Sequence, residues 1–153
     1  EEMSNALQLT PKQKIASLLA MMQSSYENNS LVETDVPIEH YHAEGLYGRR
    51  MYSPANTLII SKVHCSQQFT IALKGKCRVL DQDGNKYDIE APSVFVTEKG
   101  TQRAIYCYDE VEWITVHSSD STDIDEIESK IFCDSFEEFD SKMSIHELIT
   151  AEH

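Results

Sequence analysis

The sequence predicts a mainly β protein: a jelly-roll or β-sandwich barrel with one N-terminal helix before it and two or three short helices after it. Three observations carry this reading. Between residues 45 and 117, β-branched and aromatic residues come in eight short runs separated by turn residues. Ahead of that segment, one stretch repeats its apolar residues at helical spacing behind a marked start signal. Behind it the chain turns acidic, and isoleucines recur every three or four residues.

The N-terminal helix is read from "TPKQKIASLLAMMQSSYENN". Thr10 can cap, Pro11 suits the first turn, and Gln13 completes a Thr-x-x-Gln capping box. Ile15, Leu18, Leu19, Met22 and Tyr26 then fall on one apolar face, which must bury against the barrel or a neighbouring subunit. The eight β-type runs are "LYGRRMYS", "TLIISKV", "QFTIALK", "KCRVLD", "KYDIE", "SVFVT", "RAIYCY" and "VEWITVH". Asp83-Gly84 is a strong hairpin turn, and Gly75 and "YDEV" mark further reversals. So many short strands in so few residues suggest a sandwich or jelly roll. In the tail, Ile124, Ile127 and Ile131 share a helical face with acids clustered near its start. "SFEEFDSKM" and "SIHELITAEH" each open with Ser-x-x-Glu, predicting two further short helices. The expected organisation is one globular unit in three segments: a helix and lead-in over 1–44, the barrel over 45–117, and an acidic helical segment over 118–153.

Composition narrows the function. A hydrophobic content of 41% suits a globular chain. No apolar run is long enough to span a bilayer, and no signal-peptide pattern is present, so neither a membrane nor an exported location is expected. The net charge of −13 divides into −5 over residues 1–44, +1 over 45–117 and −9 over 118–153. Binding nucleic acid needs a concentrated basic surface, which argues against that partner. An anion, if one binds, belongs on the nearly neutral barrel. Cys65, Cys77, Cys107 and Cys133 show no paired spacing, so four reduced cysteines are expected.

Chemistry is sought among a few residues. There is no G-x-S-x-G, P-loop, H-E-x-x-H or G-x-G-x-x-G pattern. His40 and His42 form an H-x-H pair, read as part of a solvated loop before the barrel. Trp113, Thr115 and His117 fall on one face of the last strand, with Trp113 a core or interface anchor. The spacing of Asn56, Lys62, His64, Gln68 and Gly75, and of Pro92, Glu98, Gly100, Arg103 and Cys107, resembles the two sequence motifs of the cupin family. The resemblance places His64 on a metal-ligand histidine, Lys62 on the other histidine of that motif, Gln68 on the ligand glutamate and Arg103 on the histidine of the second motif. His64 is then the one weak metal candidate, and a single imidazole is too few ligands, so no cofactor is expected. On one strand the two-residue period puts Lys62 and His64 on one face, and the resemblance points Gln68 and Arg103 into the same barrel mouth. Such a cluster suits a carboxylate, phosphate or nucleotide, unless acids of the chain neutralise it or it lies at a subunit contact.

A narrower resemblance lies in "VPIEHYHAEGLYGRRMYSPANTLIISKVH", "EAPSVFVTEKGTQRAIYCYDEVEWITVH" and "DSTDIDEIE". Over residues 36–131 the chain looks like a family of small cupin-like proteins of tailed bacteriophages. Members show a His-x-x-Glu-His run where this chain reads His64-Cys-Ser-Gln67-Gln68. The resemblance implies a non-catalytic assembly or binding module, an accessory or structural protein of the phage particle, in the cytoplasm of an infected bacterium and in the particle itself. Homo-oligomers and other particle proteins are the implied partners. Ile15, Leu18, Leu19 and Met22, with Trp113, Phe132, Phe136 and Phe139, are the surfaces expected for packing or oligomer contact. The alternatives are a binder or sequestering protein for a small anion or nucleotide, and a cupin enzyme with an unusual metal or none.

Overall fold

The computed structural model describes residues 8–27 and 36–151. Helix α1 spans Pro11–Glu27 and begins as its capping box predicts. Thr10 N–H donates to Gln13 Oε1 at 2.9 Å, and Gln13 N–H donates to Thr10 Oγ1 at 3.2 Å. Ile15 is fully buried, Leu18 and Met22 are half-buried, and Leu19 is exposed. The first turn of the helix is held by its own chain. Lys12 Nζ lies 4.2 Å from the centre of the Phe136 ring, and Pro11 packs on the turn at Gly84. The side chain of Tyr26 and the helix stop at 28–30 lie outside the described residues.

Eleven strands follow, all paired antiparallel: β1 (Ile38–Ala43), β2 (Leu46–Ser53), β3 (Thr57–Ile60), β4 (Val63–His64), β5 (Gln68–Lys74), β6 (Lys76–Asp81), β7 (Lys86–Glu90), β8 (Ser93–Thr97), β9 (Arg103–Cys107), β10 (Val111–Ser118) and β11 (Phe132–Cys133). One sheet has the order β1-β2-β10-β5-β8, and the facing sheet β3-β9-β6-β7. Without β1 these are two four-stranded sheets between which the chain crosses repeatedly, with only the β6–β7 hairpin staying within one sheet, the jelly-roll arrangement. Between them lies the core, with Ala72, Val111 and Trp113 from the first sheet and Cys77, Val79, Ile89, Ile105 and Cys107 from the second. Gly75 alone joins β5 to β6 as the chain changes sheets. Its φ is +87°, and a Cβ there would stand 2.1 Å from the carbonyl oxygen of Glu110, so no larger residue fits.

Three expectations need correction here, and a fourth in the C-terminal segment below. The His40–His42 segment is strand β1 rather than a loop; five of its six residues are exposed, so it lacks the half-buried alternation that announces a strand. "TLIISKV" breaks after Ile60 into β3 and a separate two-residue β4. The four cysteines are not all reduced: Cys65 and Cys133 form a disulfide, while Cys77 and Cys107 are free and buried. The pair is 68 residues apart in sequence, and only the β4–β11 pairing brings its Cα atoms to 6.1 Å.

Behind the barrel, α2 (Ile124–Ile131) starts on Asp123, whose carboxylate accepts from the N–H groups of Asp125 and Glu126. Ile127 and Ile131 bury against Tyr47, as their spacing predicts. Helix α3 (Phe136–Ala151) opens with the Ser135/Glu138 box but runs through Ser144 unbroken, giving one helix where two were expected. Phe136 and Phe139 pack on Val63 and the disulfide. Among the described residues no helix is long and apolar enough to cross a membrane.

Candidate functional site

A cavity of about 290 Å³ opens at one end of the sandwich. Its walls alternate in chemistry because both sheets turn every second residue inward. Ile38, Met51, Ile59, Ile105, Trp113 and Phe132 make an apolar body, and His64, Gln68, Thr70, Arg103 and Thr115 supply polar atoms. Lys62, His64, Gln68 and Arg103 all line it, but not as equals. Lys62 lies beyond the end of β3, mostly exposed at the rim, and its Nζ stands 3.1 Å from Asp134. The two-residue strand period does not link it to His64, because His64 belongs to the next strand.

Arg103 is the unusual residue. It opens β9 and is 6% exposed. Its Nε donates to Tyr87 Oη at 3.2 Å and its Nη2 to Thr97 Oγ1 at 3.2 Å, while the guanidinium lies 5.5 Å from the centre of the Phe95 ring. Thr97 Oγ1 is itself 2.7 Å from Thr70 Oγ1, which fixes the hydroxyl that holds the arginine. None of the ion pairs among the described residues includes Arg103. The third cation of the cavity, Arg49, is neutralised by Glu128 at 3.3 Å. Tyr87, Thr97 and the Arg49–Glu128 pair were not read from the sequence. The inward period of β8 places Thr97 opposite Gln68, and that register was the available signal for it.

His64 is buried and packs edge-on against Phe132, with ring centres 5.6 Å apart. Its Nδ1 lies 3.1 Å from the carbonyl oxygen of Lys62. A carbonyl only accepts, so Nδ1 carries the hydrogen and Nε2 is left with a lone pair. Burial first, and then the charge of Arg103, pushes the His64 imidazole down to about 4. The Gln68 amide oxygen is buried without a hydrogen-bond partner among the described residues. His117 lies across Phe132 from His64, at 6.5 Å between ring centres, with Nε2 2.8 Å from Thr115 Oγ1. Burial, followed by His64 and Arg49, pushes it also down to about 4. Gly100, one of the motif glycines, donates its N–H to the His64 carbonyl at 2.7 Å, and its φ of +83° favours glycine, with Phe139 3.2 Å from where a Cβ would stand.

The remaining residues sit apart. Ile15 and Trp113 are core residues of this chain, Trp113 edge-on to Phe95 at 6.4 Å. Phe132 is a cavity wall, and Phe136 and Phe139 hold the disulfide region. His40 does not line the cavity; its Nδ1 is 2.6 Å from Tyr47 Oη and its ring stacks on that of Tyr47.

The residues do not fit the divalent metal that the cupin motifs imply. Among the described residues no three His, Cys, Asp or Glu converge to hold an ion. At the ligand positions stand an amide, a rim lysine paired with Asp134, and a buried guanidinium whose charge repels a cation.

No protein-family model and no curated protein matches the sequence. Solved structures do. A point mutant of oxalate decarboxylase from Bacillus subtilis superposes with a TM-score of 0.50 at 16% identity, covering 67% of this chain and 29% of that one. An RmlC-like cupin family protein with a double-stranded β-helix fold from Methanocaldococcus jannaschii gives 0.47 at 13% identity, covering 57% and 84%. A cupin-2 domain protein from Shewanella frigidimarina gives 0.46 at 12%, covering 64% and 99%. At such identities the likeness speaks of fold alone: the chain has a cupin jelly-roll fold.

Proposed function

We propose that the chain is a binding module whose barrel cavity takes a small anionic ligand on Arg103. One observation carries this: a guanidinium that is 6% exposed, facing a cavity, with no carboxylate paired to it among the described residues. Buried charge is costly unless an opposite charge meets it, so an incoming anion gains what the protein leaves unsatisfied. The unpartnered Gln68 oxygen in the same wall supports the same reading, because a ligand group can complete it. A catalytic reading has less support. His64 has no carboxylate to orient it, and its low pKa makes it a poor proton carrier near neutrality.

The test is a thermal-shift and native mass-spectrometry screen of small carboxylates and phosphates against the wild-type chain and Arg103→Met. At least one anion is expected to bind, with affinity falling by about 2–5 kcal/mol in the variant, as when a buried charge pair loses one member. Equal affinity in Arg103→Met, or no binding by any anion, would refute the reading.

A second reading, the assembly component of a tailed-phage particle, is supported by a different surface. Phe69, Val94 and Val96 are 56%, 66% and 45% exposed on the outer face of the first sheet. Phe69 pairs with Val96, and Val94 pairs with Ile71, so the patch is continuous to the edge strand β8. Its occupant on this reading is a second copy of the chain, in solution as well as in the particle. Sedimentation velocity on Val94→Lys/Val96→Lys should show a smaller species than wild type; a monomeric wild type would rule this out.

A further inference from the structure

The cavity is selective in ways that its one open cation does not reveal, and three features of its wall restrict what it can accept. The first is charge. Of the three cations that line it, Lys62 is 3.1 Å from Asp134 and Arg49 is 3.3 Å from Glu128, which leaves Arg103 as the one cation without an acid among the described residues. One positive charge balances one carboxylate, whereas a phosphate monoester carries roughly −1.5 to −2 at neutral pH.

The second feature is hydrogen-bond polarity. Two of the five guanidinium N–H groups go to Tyr87 and Thr97, and those remaining suit the two oxygens of a carboxylate. Two neighbouring polar atoms are of the opposite kind. The Gln68 oxygen is a buried acceptor without a donor, and His64 has given its one hydrogen to the Lys62 carbonyl, so it also presents a lone pair. Gln68 and Thr97 are direct partners across β5 and β8, so the amide acceptor lies beside the hydroxyl that holds Arg103. Phosphate oxygens turned toward these acceptors would meet lone pairs. A hydroxyl or N–H next to a carboxylate would meet what it needs.

The third feature is the body of the cavity, about 290 Å³ walled by Ile38, Met51, Ile59, Ile105, Trp113 and Phe132. That is at the small end of ligand pockets, which run roughly 300–1,000 Å³, and its apolar surface suits a ring or branched chain rather than a sugar.

From these features, and resting on the reading that Arg103 receives an anion, we infer that the ligand is a small apolar monocarboxylic acid with a hydrogen-bond donor beside the carboxylate, such as a 2-hydroxy acid. The same wall disfavours nucleotides and phosphate esters.

Calorimetry on the full chain with four probes of one shape tests this: mandelate, phenylacetate, phenylacetamide and phenyl phosphate. Mandelate should bind at least tenfold tighter than phenylacetate, and at least a hundredfold tighter than the neutral amide or the phosphate ester. Gln68→Leu should shrink the gap between mandelate and phenylacetate to under threefold while leaving phenylacetate itself bound. Phenyl phosphate binding tighter than mandelate, and losing that binding in Arg103→Met, would overturn the ligand class and keep the anion site. Equal binding of mandelate and phenylacetate to wild type would overturn the donor requirement. Failure of both acids and the phosphate, or unchanged mandelate affinity in Arg103→Met, would bring down the ligand class and the anion site together.

Discussion

The base and the rim of the cavity treat positive charge in opposite ways. At the rim, Lys62 and Arg49 each have an acid within 3.3 Å, supplied by the C-terminal segment through Asp134 and Glu128. At the base, Arg103 is held by a phenol, a threonine hydroxyl and an aromatic face, all neutral, with a neutral His64 in the same wall. Rim pairs that lie partly in water contribute little and can be made or lost cheaply. A buried guanidinium positioned only by neutral groups is a charge left open for something else. The contrast shows why the motif positions of a metal site, once occupied by Lys, Gln and Arg, do not all inherit one role.

Acid should separate the two regions most strongly. His64 and His117 are pushed from 6.5 to about 4. The unfolded chain therefore takes up protons that the folded base refuses, and stability falls as the pH drops from 6.5 towards 4. The slope is about 1.4 kcal/mol per pH unit for each histidine, complete at neutrality and with no further loss below both values. Urea unfolding at pH 7, 5.5 and 4.5 measures it; a flat profile would mean that both histidines are wet and freely protonated.

A smaller effect is expected from Thr97→Val. It strips Arg103 Nη2 and the Thr70 hydroxyl of a buried partner while keeping the side chain's shape. Leaving such groups unsatisfied costs about 1–3 kcal/mol, readable as a lowered urea midpoint, and should weaken anion binding by loosening the guanidinium. Unchanged stability would show that water already serves these groups.

The smallest change belongs to the rim. Lys62→Ala removes a pair whose side chains are 59% and 80% exposed, so stability should move by less than about 1 kcal/mol and ligand affinity by under twofold. A large loss of affinity would erase the distinction between rim and base and return Lys62 to the site.

Much of the barrel was legible. Seven of the eight β-type runs match strands almost to the residue, because a strand that packs on a core displays its period directly in the sequence. What failed to show was what lacks that face. Strand β1 pairs along an edge with both sides mostly in water, and the two-residue strands β4 and β11 have no pattern to carry. The Ser144-x-x-Glu147 box did not start a helix, because Ser144 is an exposed interior residue of α3 where nothing compels a break. Motif spacing brought His64, Gln68 and Arg103 to one wall. It could not tell a rim lysine from a base arginine, since partnership with Asp134 or Glu128 depends on where the C-terminal segment docks.

The Cys65–Cys133 bond has a consequence for anyone handling the protein. It turns residues 65–133, which include most of both sheets and α2, into a closed ring, with α1 and α3 attached outside it. A protease that cuts the exposed stretch near Asp120 therefore opens the ring without releasing a piece. The nicked molecule should run as one species without reductant and as two with it, the smaller carrying Glu128 and Phe132 of the cavity wall away with α2 and α3.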